Sequence, residues 1–185
     1  PAVDTTAPTL SAVSISSSNS TSTLAKANDV ITLTMTASES IKTPVVTFTS
    51  GGAAISDSSV TYTHASGDTW TAAYTVESGD TAGAVGYSIA FDDTSGNSGT
   101  AVTSGSGSAS VDVTAPTLAS VTAISTPAAN VTPSFVFSSD EAGTITSSIT
   151  EGFSTSASAV SGNNTITFNA LGDGTYSGKT ITVTD

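Results

Sequence analysis

The side chains of this protein that could do chemistry are almost all carboxylates. The sequence holds fifteen Asp and Glu residues against three Lys, one His and no Cys, and its formal net charge at pH 7 is −12. A nucleophilic triad or a zinc site needs partners for the single histidine, His64, and neither a Cys nor a second His is available. Oxygen ligands on a strongly negative chain instead favour a hard cation such as calcium. The same balance argues against nucleic-acid binding, which requires a basic surface.

The elements that must position these carboxylates are predicted to be β-strands. Residues 30–37 alternate apolar and polar side chains, which is typical of a half-buried strand. Ser66-Gly67-Asp68 separates two alternating runs, as in a β-hairpin. With that hairpin, strands are predicted at residues 10–15, 30–37, 45–49, 60–64, 69–76, 85–91 and 109–111. Seven short strands separated by turns predict an immunoglobulin-like (Ig-like) β-sandwich.

A repeated segment divides the chain into two such modules. Residues 3–10 (VDTTAPTL) return as residues 111–118 (VDVTAPTL), with seven of the eight positions identical. A fixed repeat indicates a repeated structural unit, and each copy is interpreted as the linker that enters one domain. We therefore predict an all-β protein of two tandem Ig-like sandwich domains, at residues 1–111 and 112–185.

The second module repeats the pattern of the first up to the counterpart of the sixth strand. Strands are predicted at residues 118–121, 131–137, 144–149, 164–170 and 176–183, with residues 153–162 left unassigned. Residues 181–185 align with residues 89–93 of the first module, so the second domain is expected to lack its last strand within this chain. Either the continuing polypeptide or a neighbouring subunit would supply that strand. Pro1 at the start suggests a mature or excised fragment.

Topology predicts where the acidic side chains converge. In an Ig-like sandwich the entering linker, the loop after the second strand and the turn after the sixth strand share one end. Carboxylates gathered there would repel one another unless a cation were present, and calcium accepts about six to eight oxygen ligands in flexible geometry. The predicted calcium ligands are Asp4, Glu39, Asp92, Asp93 and Asn97 in the first module and Asp112, Asp140, Glu141 and Asp185 in the second. The alternative is that these are ordinary solvated turn residues.

Several motifs resemble the tandem Ig-like repeats of bacterial and archaeal cell-surface proteins. They are the linker DTTAPT at residues 4–9, the strand end Ala37-Ser38-Glu39-Ser40, the turn Asp93-Thr94-Ser95-Gly96-Asn97, and GDGTY at residues 172–176. Such repeats occur in large adhesins and in S-layer proteins. The resemblance implies an extracellular, elongated, non-enzymatic role at the cell surface, with calcium at domain junctions. Neighbouring copies or adjoining domains of the same surface protein are then the expected partners.

Other features leave alternatives open. Trp70 and Tyr74 share a strand face, which favours core packing over a sugar-stacking platform, and a carbohydrate-binding or accessory module of a secreted protein is the second hypothesis. Glycosylation sequons begin at Asn19, Asn130 and Asn163, and they matter if the source glycosylates its surface proteins. The sequence shows no set of nucleophile, base and orienting group that would predict an enzyme. No apolar run approaches the roughly 20 residues of a membrane span.

Overall fold

A computed structural model describes residues 3–124 and 129–185, and the chain divides into two compact units, Pro1–Thr114 and Ala115–Asp185. Over these two ranges the chain forms β-strands joined by turns and loops, without a helix. The described residues therefore include no helix that could cross a bilayer. The fold is all-β, as predicted.

The first unit is built from two sheets. Its strands are β1 (Leu10–Ser17), β2 (Leu24–Ala25), β3 (Val30–Ala37), β4 (Val45–Ser50), β5 (Ala53–Ala54), β6 (Thr61–Ser66), β7 (Thr69–Thr75), β8 (Gly83–Ala90) and β9 (Ser110–Val111). One sheet has the order β1-β3-β7-β6, and the other has the order β2-β9-β8-β4-β5. The seven strands predicted from alternation are all present, and β6 and β7 form the predicted hairpin.

The strand order identifies the first unit as an Ig-like sandwich. When its seven main strands are lettered A to G along the chain, one sheet is A-B-E-D and the other contains G-F-C, which is the arrangement of the immunoglobulin fold. The two strands that alternation missed extend the second sheet. Strand β2 pairs in parallel with β9, and β5 pairs with β4. Each is two residues long, which is too short to show a periodic pattern.

Alternation along the strands builds the core of the first unit. Every second residue of β3 is buried, and Ile31, Leu33 and Met35 are fully inaccessible to solvent. Across the sandwich, the rings of Tyr74 and Phe48 lie 4.9 Å apart between centroids. Trp70 is partly buried, packs against the same core and stacks on His64. The prediction that Trp70 and Tyr74 pack into the core is confirmed.

The second unit is a smaller sandwich of two three-stranded sheets. Its strands are β10 (Leu118–Thr122), β11 (Ser134–Ser139), β12 (Gly143–Ser147), β13 (Ser158–Ala159), β14 (Gly162–Thr167) and β15 (Ile181–Thr184). One sheet has the order β10-β11-β14, and the other has the order β13-β12-β15. Its core contains Phe137, Ile145, Ile149, Ala159, Ile166, Phe168 and Val183.

Some strand boundaries predicted for the second unit are wrong. Strand β15 begins at Ile181 rather than at residue 176, because a turn with Gly178 at a φ of 71° interrupts the run. Strand β11 begins after Pro133, which has no N–H to donate to a sheet ladder. Strand β14 begins at Gly162 and ends at Thr167, earlier than predicted at both ends. The segment left unassigned contains β13, which pairs with β12.

Strand β15 is paired on one side among the described residues. It pairs with β12, whereas its counterpart β8 in the first unit pairs with both β4 and β9. In the first unit the β9 segment also fills the core, with Ala109 and Val111 buried. In the second unit a cavity of about 1050 Å³ has Leu118, Phe137 and Ile181 in its wall. The described part of the second sandwich therefore contains no counterpart of β9, as predicted.

Candidate metal centre

Three carboxylates from separate segments of the first unit meet at one end of its sandwich. Asp4 belongs to the entering linker, Glu39 follows β3, and Asp93 follows β8; a carboxylate oxygen from each lies within 4.8 Å of the others. An isolated β-bridge between Ile41 and Asp93 joins the two loops. The Lys42 N–H donates to the carbonyl oxygen of residue 92 at 2.9 Å and strengthens that junction. Three of the five ligands predicted for this unit are thus neighbours in space.

Asp93 is the most buried of the three and organises its own turn. Its Oδ1 accepts hydrogen bonds from the N–H groups of Gly96 and Asn97 at 2.6 and 2.8 Å, and its Oδ2 accepts one from Asn97 Nδ2 at 2.7 Å. Gly96 has a φ of 100°, a conformation that L side chains rarely adopt. Burial by itself would raise the pKa of Asp93, but these hydrogen bonds outweigh it and hold that pKa below its ordinary value.

The same turn fixes the entering linker. Asn97 Nδ2 also donates to the carbonyl oxygen of Asp4 at 3.3 Å, and the Ser95 hydroxyl donates to Asp4 Oδ2 at 3.4 Å. Within the linker, the Thr6 N–H donates to Asp4 Oδ1 at 3.0 Å. Through Nδ2, Asn97 therefore acts as a donor that positions Asp4 and Asp93. The contribution of Ser95 was not predicted from the sequence, although Ser95 lies within the Asp-Thr-Ser-Gly-Asn turn that contains two of the predicted ligands.

The charged form of Glu39 is disfavoured by its surroundings in the cluster. Desolvation, together with the negative charges of Asp4, Asp93 and Asp68, raises the pKa of Glu39 above its ordinary value. Every charge that contributes to this shift is a carboxylate. A cation bound among these groups would relieve the repulsion.

The Glu39 shift leads to a prediction about pH. Because the pKa of Glu39 is higher in the folded state, the folded protein binds more protons, and its stability falls as pH rises from the ordinary value of 4.5 through the folded pKa. In chelator at neutral pH, Glu39→Gln should therefore raise the melting temperature of the first unit. Below about pH 4 the gain should disappear, because Glu39 is then protonated in both states.

The control for this variant is Glu77→Gln, which makes the same change in charge outside the cluster. It should leave the melting temperature nearly unchanged at both pH values. A Glu39→Gln variant that melts at or below the wild-type temperature in chelator at neutral pH would contradict the electrostatic account.

Asp92 is placed differently from its neighbour. It is exposed and does not belong to the carboxylate group, whereas Asp93 is buried. Successive residues of an extended segment point to opposite faces, so the inward series of Ile89 and Phe91 continues to Asp93 and leaves Asp92 outside.

In the second unit, Glu141 and Asp185 form a carboxylate pair. Glu141 precedes β12 and Asp185 follows β15, and the antiparallel register pairs Thr144 with Thr184. Their closest carboxylate oxygens lie within 4.8 Å of one another. Two of the predicted ligands are therefore brought together by the pairing of β12 with β15.

The other two ligands predicted for the second module make local contacts. Asp140 Oδ1 accepts the Thr117 N–H at 2.6 Å, and this hydrogen bond is the main reason that the pKa of Asp140 is lowered. Asp140 thus fixes its linker as Ser38 does in the first unit, where the Thr9 N–H donates to the Ser38 hydroxyl. Asp112 lies in the first unit, and its Oδ1 accepts the Thr114 N–H at 3.0 Å.

No family model and no curated protein match this chain. Solved structures similar to it include tandem domains of titin. Titin Z1Z2, solved in complex with telethonin, is 13% identical over 97% of this chain and 94% of that chain, with a TM-score of 0.35. Titin A168-A170 is 15% identical over 90% of this chain and 57% of that chain, with a TM-score of 0.34. Titin A164-A165 is 9% identical over 97% and 95%, with a TM-score of 0.32. The Ig-like assignment rests on the strand order described above.

Proposed function

We propose that this protein is a structural segment of an extracellular prokaryotic surface protein, such as an adhesin stalk, an S-layer or a surface filament, and that calcium rigidifies the entry to its domains. The observation that carries the proposal is the cluster of Asp4, Glu39 and Asp93. It joins a linker residue to two loops of the domain that the linker enters. A cation there would act on the geometry of the chain rather than on a substrate.

The cluster fits calcium in chemistry and in spacing. Oxygen ligands lie about 2.3–2.6 Å from calcium, so two ligands of one ion are at most about 5 Å apart. The carboxylate oxygens of Asp4, Glu39 and Asp93 meet that limit at 4.8 Å. Three carboxylates supply a strong negative field and part of the coordination shell, and calcium commonly completes its shell with carbonyl oxygens and water.

The linker is also attached to the domain at a second point. Pro8 is fully buried, and its ring fixes φ. The next residue, Thr9, exchanges two hydrogen bonds with Ser38: its N–H donates to the hydroxyl, and its carbonyl oxygen accepts the Ser38 N–H. With Asp4 held by calcium, the linker would be fixed at two points, which suits a spacer that sets distance and direction at a cell surface.

The functional alternatives receive less support from the same structure. Tyr74 is buried, so it contributes nothing to a sugar-binding platform, and Trp70 packs against the core. The ring of His64 stacks on Trp70, and its Nε2 contacts the Gly67 carbonyl oxygen. The proposed partners are neighbouring copies or adjoining domains of the same surface protein.

Calcium removal tests the proposal. At a calcium concentration about 100 times the dissociation constant, binding should stabilise the first unit by about 2.7 kcal/mol, or roughly 10 °C in melting temperature. Adding a chelator should remove that gain, and calorimetric titration should show binding of calcium to the wild type. In Glu39→Gln the gain should be largely lost, because one charged ligand is gone, while Glu77→Gln should keep it. A wild-type melting curve that is the same in calcium and in chelator would reject the calcium site.

A further inference from the structure

The three Asn-x-Ser/Thr sequons lie in different local structures. Asn19 follows β1 in a turn, Asn130 lies in the loop before β11, and Asn163 lies within β14. An Asn amide nitrogen is a poor nucleophile because its lone pair is delocalised into the carbonyl group. It becomes nucleophilic as one proton leaves and negative charge collects on Oδ1. Hydrogen-bond donors aimed at Oδ1 stabilise that charge, as donors in an oxyanion hole do.

Asn130 has these donors and is accessible. Its Oδ1 accepts the Thr132 N–H at 3.0 Å and the Thr132 hydroxyl at 3.1 Å. All three residues of this sequon are exposed, and the intervening Val131 is 55% exposed. Asn130 Nδ2 makes a 3.2 Å hydrogen bond to the Thr132 carbonyl oxygen, a neutral contact that an exposed side chain can give up to an enzyme. The sequon is already folded into the turn that brings its hydroxyl to the Asn side chain.

Asn19 Oδ1 also accepts donors, the Thr21 N–H at 3.0 Å and the Ser20 hydroxyl at 3.3 Å, but the nitrogen of Asn19 is held by a carboxylate. Its Nδ2 donates to Asp29 Oδ2 at 2.8 Å, and the same oxygen accepts the Lys26 N–H at 2.9 Å. Hydrogen bonds to ionised groups are the stronger kind, so the nitrogen of the partly buried Asn19 is committed. Loss of its proton would also place new negative charge beside Asp29.

Asn163 is held by the sheet. It pairs with Ser138 in the β11–β14 ladder, which keeps its backbone extended. Along a strand, residues two apart are separated by roughly 6.5 Å. The Thr165 N–H and hydroxyl therefore cannot both turn back to the Asn163 side chain without breaking the ladder.

We propose that Asn130 is an N-glycan acceptor in the folded protein and that Asn19 and Asn163 are not. The donor is a lipid-linked glycosyl diphosphate, used by a transferase that requires Asn-x-Ser/Thr. The bond from Nδ2 to the sugar C1 forms as the bond from C1 to the diphosphate oxygen breaks. The diphosphate leaves with the electron pair, and a base of the transferase takes one Nδ2 proton. This modification is independent of the proposed calcium site.

The test uses the folded 185-residue chain, a purified transferase that requires only the sequon, and its lipid-linked oligosaccharide. Peptide mass spectrometry then measures occupancy at each Asn. We expect the glycan at Asn130, with Asn19 and Asn163 unmodified. Thr132→Ala should abolish modification of Asn130, because it removes the sequon that the transferase requires together with one donor to Oδ1, and Thr132→Ser, which keeps both the sequon and a hydroxyl, should retain modification.

Three synthetic peptides, each carrying one sequon, serve as controls that lack the fold. All three should be modified, which would show that the structure of the chain selects Asn130. The proposal is overturned if the folded chain is unmodified at Asn130 while the Asn130 peptide is modified. It is also overturned if folded Asn19 or Asn163 reaches the occupancy of Asn130, or if the peptides show the same preference as the folded chain.

Discussion

Replacing Asp93 by Ala should lower the melting temperature of the first unit by roughly 10–20 °C, whereas Asp92→Ala should change it by no more than about 2 °C. The two residues are adjacent and have the same side chain, but Asp93 is 1% exposed and Asp92 is exposed to solvent. The comparison therefore isolates the hydrogen bonds of the buried carboxylate from a simple change in net charge.

The large effect follows from the donors that Asp93 satisfies. The Ala variant leaves the N–H groups of Gly96 and Asn97 and the Asn97 amide without their acceptor. Hydrogen bonds to a charged group contribute more than neutral ones, and the carboxylate that accepts these bonds is itself buried. Asn97 also holds the Asp4 carbonyl oxygen, so the linker should loosen as well.

The pKa of Asp93 determines the pH range of this prediction. Because that pKa is below its ordinary value of 3.8, the contribution of the ionised carboxylate is complete above 3.8 and is lost as pH falls through the folded pKa. The difference between the wild type and Asp93→Ala should therefore shrink in acid.

The measurement is thermal unfolding followed by the fluorescence of Trp70, the one tryptophan of the sequence. It should be made in chelator, because the variant also removes a proposed calcium ligand. If Asp93→Ala melts within about 2 °C of Asp92→Ala under these conditions, the buried turn does not stabilise the unit as we infer.

Most of the strands that could be predicted from the sequence are long enough to show a period, and β9, with two residues, is the exception. Strand β3 alternates over eight residues, and its burial alternates in the same way. By contrast, β2, β5 and β13 have two residues each. They form because their partner strands bring them into pairing distance, and a pattern within the segment cannot show that.

The sequence predicted which loops form the candidate site, but not which side chains of those loops meet there. Topology correctly brought the linker and two loops of the first unit together, but it did not separate Asp92 from Asp93. The alternation of buried residues along the strand does separate them, because the buried positions Ile89 and Phe91 are followed two residues later by Asp93. The same alternation leads from the buried residues Phe137 and Ser139 to Glu141, and it places Asp140 outside the carboxylate group. Extending the inward positions of a strand into the following loop would have selected Glu39, Asp93, Glu141 and Asp185 from the sequence, but not Asp4, which lies before β1.

The division into two domains can be tested with a core substitution in the second unit. Phe137 is 2% exposed and lies in a core of seven buried residues among those described, whereas the described core of the first unit has sixteen. Phe137→Ala should destabilise the second unit by about 3–5 kcal/mol. A small domain has a total stability of roughly 5–15 kcal/mol, so most of the stability of this unit should be lost.

Two probes distinguish the units in this experiment. Trp70 fluorescence reports the first unit, and calorimetry reports both. In Phe137→Ala the transition seen by Trp70 should remain at the wild-type temperature, while a second calorimetric transition moves down or disappears. Leu33→Ala, in the core of the first unit, should instead lower the Trp70 transition by a comparable free energy, about 2–5 kcal/mol.

Val131→Ala, at a position that is 55% exposed, is the matched control and should stay within about 0.5 kcal/mol of the wild type. If Phe137→Ala lowers the Trp70 transition together with the calorimetric one, the two sandwiches unfold as one cooperative unit, and the proposed division into independent modules is incorrect.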